Sequence, residues 1–123
     1  MLQRKDESAS TTWYRRAAEM GHVRSMGQYA DRLADGIGIA KNPAEAFRWR
    51  LKAATHPKAD GYDVFALAQA YDEGVGTTRN PRAALRVLRA AKGKRIDDSD
   101  TKTPAEMEEM EERLEAEVAK TSA

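Results

Sequence analysis

Few residues in this chain have types and spacing that can do chemistry. Gly36 and Gly38, in the stretch DGIGIAKNPAEAF (35–47), resemble a loop that cradles phosphate. That reading needs a preceding strand and a GxGxxG fingerprint, and the sequence offers neither. His22 and His56 fall where turns are expected, and they lack the HxxxH or HxxE spacing of a metal site. The absence of cysteine excludes disulfides, thiolate metal ligation and a Cys nucleophile. Ser8, Ser10 and Ser25 have no partner base in view. Carboxylate pairs such as Glu108 with Glu112 lie on a polar helix face. Without a concave site to raise a pKa they are solvating charge, not acid–base machinery. The residues point away from an enzyme, and no cofactor or metal is expected.

The glycine pair has a different explanation, because it recurs. EGVGTTRNPRAAL (73–85) repeats the pattern, with Gly36 and Gly74, Gly38 and Gly76, Asn42 and Asn80, and Pro43 and Pro81 each 38 residues apart. A cofactor loop occurs once in a domain, whereas a loop at a fixed period is architecture. KNPAEAFRWRLKAATHP (41–57) aligns with RNPRAALRVLRAAKGK (79–94), and with KDESASTTWYRRAAEMG (5–21) at an offset of 36. In each copy Asp6, Asn42 or Asn80 is placed to cap a helix, and Pro43 and Pro81 fall at the first helical position. Between these B helices lie A helices, HVRSMGQYADRLADG (22–36) and DGYDVFALAQAYDEG (60–74). Met26, Tyr29, Ala30 and Leu33 form one helical face, matched by Val64, Leu67, Ala68 and Tyr71. The glycines then end the A helices and turn the chain into the next B helix.

The elements that follow are of another kind. Residues 97–103 read as a polar linker, and residues 104–123 as an acidic amphipathic helix with a capping box from Thr103 to Glu106. Met107, Met110, Leu114 and Val118 give it one narrow apolar stripe. It is expected to cap the repeat array (residues 1–96) by packing on the last B helix. The net charge of +1 hides an asymmetry: residues 97–123 hold ten carboxylates and three bases, so the rest of the chain is basic. No stretch is apolar enough for a membrane span or a signal peptide, which reads as a cytoplasmic protein with no membrane partner.

The period, the DGIG and EGVG turns and the block WYRRAAEMGH resemble Sel-one-like repeats, relatives of the tetratricopeptide class. Trp13, Tyr14, Ala17, Ala18, Gly21, His22, Ala30, Gly36 and Gly38 match the family pattern in one copy. Trp49, Ala53, Ala54, Ala68, Tyr71, Gly74 and Gly76 match it in the next, with Pro57 a departure. The resemblance covers roughly residues 5–95. It implies an all-α, right-handed α-α solenoid of about two and a half repeats, closed by the C-terminal helix, and an adaptor or scaffold that binds a partner protein or peptide without catalysis. Members linked to β-lactam binding are disulfide-rich, and a chain without cysteine does not inherit that activity.

The array begins on a B helix, so its first face lacks an A helix. Trp13, aligned with Trp49 as repeat core, is there either a partner-facing residue or the mark of a chain that is longer upstream; a homodimer through that end is one outcome. The A-helix side chains outside the core stripe are the candidates for partner binding: Arg24, Gln28, Asp31 and Arg32 in one copy, Tyr62, Phe65 and Gln69 in the next. The basic face of the B helices (Arg15, Arg16, Arg48, Arg50, Lys52, Arg82, Arg86, Arg89) keeps nucleic acid as the alternative partner. Tyr14 alone is available there for base stacking, which weighs against it.

Overall fold

The computed structural model describes residues 6–121. Six helices follow one another: α1 (Glu7–Glu19), α2 (Val23–Asp35), α3 (Pro43–Thr55), α4 (Gly61–Glu73), α5 (Pro81–Lys92) and α6 (Lys102–Thr121). No strand occurs among the described residues. α2 pairs with α3 and α4 with α5 as antiparallel hairpins, and α1 and α6 close the two ends of the stack. This is the expected α-α solenoid with a capping helix.

The expected caps form. The side chains of Asp6, Asn42 and Asn80 accept from the amides of Ala9, Glu45 and Ala83, each at 3.1 Å. Each satisfies one of the amides that a helix start leaves open. Pro43 and Pro81 begin their helices. His22 caps α2, its Nδ1 accepting from the Ser25 amide, and His56 Nδ1 accepts from the Lys58 amide at 3.0 Å. Gly36 and Gly74 end α2 and α4 in the left-handed region, at φ of 72° and 69°. Beyond each turn the amide of Asn42 returns to the Leu33 carbonyl, and that of Asn80 to the Tyr71 carbonyl.

The second glycine of each pair does more than loosen a turn. A Cβ at Gly38 would collide with the Glu7 carbonyl at the start of α1. At Gly76 it would collide with the Pro43 carbonyl and come within 2.9 Å of the Phe47 Cβ at the start of α3. Each turn thus lies flat against the first turn of the preceding B helix.

The apolar faces meet in two thin cores. One gathers Met26, Tyr29, Ala30 and Leu33 of α2 with Ala46 and Ala53 of α3 and Ala18 of α1. The other gathers Val64 and Ala68 of α4, Leu85 and Leu88 of α5, and Met107, Met110 and Leu114 of α6. Ala30 and Ala68 are fully buried, as close helix approach requires. Val118 packs at the rim.

Three expectations are corrected. Trp13 is not repeat core: it is 68% exposed, because no helix covers that face of α1 among the described residues. Trp49, its counterpart, packs edge-on against Tyr29 at 5.6 Å. Second, Asp100 and not Thr103 caps α6, accepting from the amides of Thr103 and Lys102 at 2.9 and 3.0 Å. The helix starts ahead of the proposed box, and bonds from Thr103 hold the Asp100 carboxyl down to about 2. Third, Phe65 does not stand outside the core: it is largely buried with Met107 and Met110, at the floor of a groove between α4 and α6.

Candidate partner-binding groove

On α2 the spacing 24, 28, 31 runs along one helical face, and the structure turns that face toward α4. Between the two helices lies a groove of about 390 Å³. Arg24, Gln28 and Asp31 form one wall and Tyr62, Asp63 and Ala66 the other, while Arg50 and Ala53 of α3, with Lys58, close one side. Four of the eight candidate residues, Arg24, Gln28, Asp31 and Tyr62, are thus brought together. Gln69 lies farther along α4, in a second groove against α6 with Asp72, Glu106 and Met110.

Arg32 does not belong to the groove. One position beyond Asp31, it is rotated by about 100° on the helix and faces α1. There its Nη1 donates to Thr11 Oγ1 at 3.2 Å and to the Glu7 carboxylate at 3.4 Å, and its guanidinium lies 5.0 Å from the Tyr14 ring centroid. Thr11, itself buried, donates to the Ile37 carbonyl at 2.7 Å. Arg32 is therefore a tether between α1 and α2.

The carboxylates of the groove are already engaged. Asp31 accepts from Arg50 Nη2 at 2.9 Å. Asp60 and Asp63 form a reciprocal capping box at the start of α4, each accepting from the other's amide. Burial pushes the Asp63 carboxyl up to about 6, and the nearby Asp60 charge adds to this, while the Asp60 amide and Arg24 pull the other way. The donors are less well used. Arg24 and the Lys58 ammonium make no hydrogen bond or ion pair among the described residues, and Arg50 Nε is buried without an acceptor.

The raised Asp63 value has a testable sign. The folded state holds this proton more tightly than the unfolded chain, so the ionised carboxyl costs stability above about pH 6 and the cost fades as the pH falls toward 4. Asp63→Asn, which keeps an acceptor for the Asp60 amide, is expected to raise the melting temperature at pH 7 and to make little difference at pH 4. An equal effect at both values would mean that the charge is not the cause.

The basic face of the B helices is partly consumed. Arg50 and Arg89 are bound by carboxylates, Arg82 reaches the Thr121 hydroxyl, and Arg16 and Lys52 lie over the Trp13 and Trp49 rings. Among the described residues no cluster of His, Asp and Glu is arranged to hold a metal ion. No described helix is long and apolar enough to cross a membrane.

The repeat boundaries in the structure coincide with those of a known family. The family model for the Sel1 repeat matches residues 2–22, 23–56 and 64–91, and its second and third segments correspond to α2–α3 and α4–α5. The chain belongs to the Sel1 repeat family. Among solved structures it resembles a Sel1 repeat protein from Oxalobacter formigenes, at 28% identity and a TM-score of 0.63 over 69% of this chain. It also resembles c5321, described as a protective antigen of uropathogenic Escherichia coli with an SLR fold, at 29% identity and a TM-score of 0.63 over 71% of this chain. The match spans 34% and 18% of the lengths of those proteins. Among curated proteins none matches significantly. Sel1 repeat proteins generally mediate protein–protein interaction and generally serve as non-catalytic scaffolds.

Proposed function

We propose that this Sel1 repeat chain is a non-enzymatic adaptor that holds a partner protein or peptide in the groove between α2 and α4, in the cytoplasm. The observation that carries the reading is the convergence of Arg24, Gln28, Asp31 and Tyr62 on one concave surface, where Tyr62 donates to Asp100 and Asp31 accepts from Arg50 while Arg24 makes no hydrogen bond or ion pair among the described residues. A mixed polar and aromatic lining suits a polypeptide. It suits nucleic acid less, since three carboxylates share the same groove.

The test is capture from the native cell. Wild-type protein is expected to retain a protein partner, and a variant carrying Arg24→Glu and Gln28→Ala to retain it at least about ten-fold less, at unchanged helical content. Equal capture by both would remove the groove from the function.

The exposed α1 face supports a second contact, with another copy of the chain. Trp13 stands bare where Trp49, in the same column, packs on Tyr29. Light scattering over a dilution series is expected to show reversible self-association, lost in Trp13→Gln. A strict monomer with a freely quenched Trp13 would refute it.

A further inference from the structure

The groove between α2 and α4 is balanced in charge, since Asp31, Asp60 and Asp63 are matched by Arg24, Arg50 and Lys58. The groove between α4 and α6 is not. About 430 Å³ in volume, it is lined by four carboxylates, Asp72, Glu73, Glu106 and Glu109, and by one cation, Arg113. Asp72 is consumed within the fold: Arg113 donates to its two oxygens at 3.1 and 2.6 Å, and Arg79 to one of them at 3.1 Å. Glu73, Glu106 and Glu109 are exposed and make no hydrogen bond or ion pair among the described residues. The opposite edge of α6 is arranged differently, because there Glu108, Glu111 and Glu115 meet Lys92 and Arg89 of α5. The fold supplies cations along one edge of α6 and leaves the glutamates of the other unmatched. Beneath them the groove has an apolar floor of Phe65 and Met110.

We infer that the groove between α4 and α6 docks a basic segment of a partner protein, one that carries lysine or arginine side chains. This goes beyond the reading of the α2–α4 groove and concerns a separate surface with other residues. Charge complementarity selects the occupant. A lysine or arginine combines an aliphatic stem with a cationic head. The stem can lie on Phe65 and Met110 while the head reaches the carboxylates of Glu73, Glu106 and Glu109. An acidic segment would add like charge to a surface where carboxylates already outnumber cations. A nucleic acid would do the same through its phosphates. Gln69, among the partner-facing candidates of the sequence, stands in this groove. Because the glutamates are in solvent, salt screens their attraction, and binding is strongest at low ionic strength.

The test uses the full chain and a short fluorescein-labelled peptide alternating glycine and lysine, at low salt, with a glycine–glutamate peptide as control. Wild-type protein is expected to bind the lysine probe saturably, with amide shifts at Gln69, Met110 and Arg113, and to bind the glutamate probe far more weakly. Nuclear Overhauser contacts should run from the lysine methylenes to the Phe65 ring. A variant carrying Glu106→Gln and Glu109→Gln is expected to bind the lysine probe about ten-fold less, at unchanged helical content. A second variant separates the site from net charge. Glu19→Gln with Glu112→Gln removes two exposed carboxylates outside the groove and should leave affinity within about two-fold of wild type. Equal losses in the two variants, a glutamate probe that binds as well as the lysine probe, or an absence of saturable shifts in the groove would each overturn the proposal. None of these substitutions touches Arg24 or Gln28, so such a failure leaves the α2–α4 reading to its own capture test.

Discussion

Gly76→Ala is expected to lower stability by about 2–4 kcal/mol, well beyond the roughly 1 kcal/mol expected at Gly74. Both residues adopt positive φ, at 75° and 69°, so both substitutions meet the same backbone penalty. Their surroundings differ. At Gly74 the nearest atom to an added Cβ is the Arg79 amide nitrogen at 3.2 Å, a contact that a slight loop shift relieves. At Gly76 the obstacle is the Pro43 carbonyl, fixed in the first turn of α3, with the Phe47 Cβ behind it. Neither can rotate away, so the turn must lift off the helix on which it rests. Phe47 also packs edge-on against Tyr71 at 5.3 Å, a contact that ties α3 to α4 and would be disturbed with it. Urea unfolding of the two variants side by side checks the order. Equal losses would show that the close approach carries no energy and that φ alone matters.

The repeat made much of this architecture readable before any coordinates. Caps and turn glycines are local chemistry, decided by one side chain and the amides beside it. Asp6, Asn42, Asn80, Gly36 and Gly74 all take the expected roles. The stripe of Met107, Met110 and Leu114 also gave the burial of α6 correctly. What stayed hidden depends on residues distant in sequence. Phe65 follows the helix face that lines the groove in the preceding repeat, yet α6 covers it. Arg32 looked like another groove residue until Glu7, Thr11 and Tyr14 of α1 came beside it. The collision that requires Gly76 lies with Pro43, which belongs to the previous repeat. The groove was legible by spacing at Arg24, Gln28 and Asp31, and its unused donors emerged only from the pairing of every carboxylate around them.

Removing α6 by truncation after Arg95 is expected to produce the largest loss of all. Its buried residues Met107, Met110 and Leu114 leave water on docking, and each such side chain is worth about 1.5–3 kcal/mol. Truncation also uncovers Phe65 and Leu88 of the second core. The ion pairs along the same helix are conspicuous but contribute little. Lys92 donates to Glu108 at 2.7 Å, Arg89 to Glu115 at 2.6 Å, and Arg113 to Asp72 at 2.6 Å. The Glu108 and Glu111 carboxylates push the Lys92 ammonium up to about 12, yet it lies in solvent, where such pairs are screened. The arrangement sets the register of α6 on α5, and the apolar stripe holds it there. Two comparisons separate these contributions. Leu114→Ala in the full chain should cost about 2–5 kcal/mol, since Leu114 is fully buried, and this loss should change little between low and high salt. Lys92→Met should cost far less than Leu114→Ala, and that loss should shrink as salt rises. The truncated chain should melt at least about 10 °C lower or without a cooperative transition, and bind a hydrophobic dye. A truncated chain that melts like the full one, with Leu114→Ala silent, would mean that α6 does not hold the end of the solenoid and that its acidic face serves a partner instead.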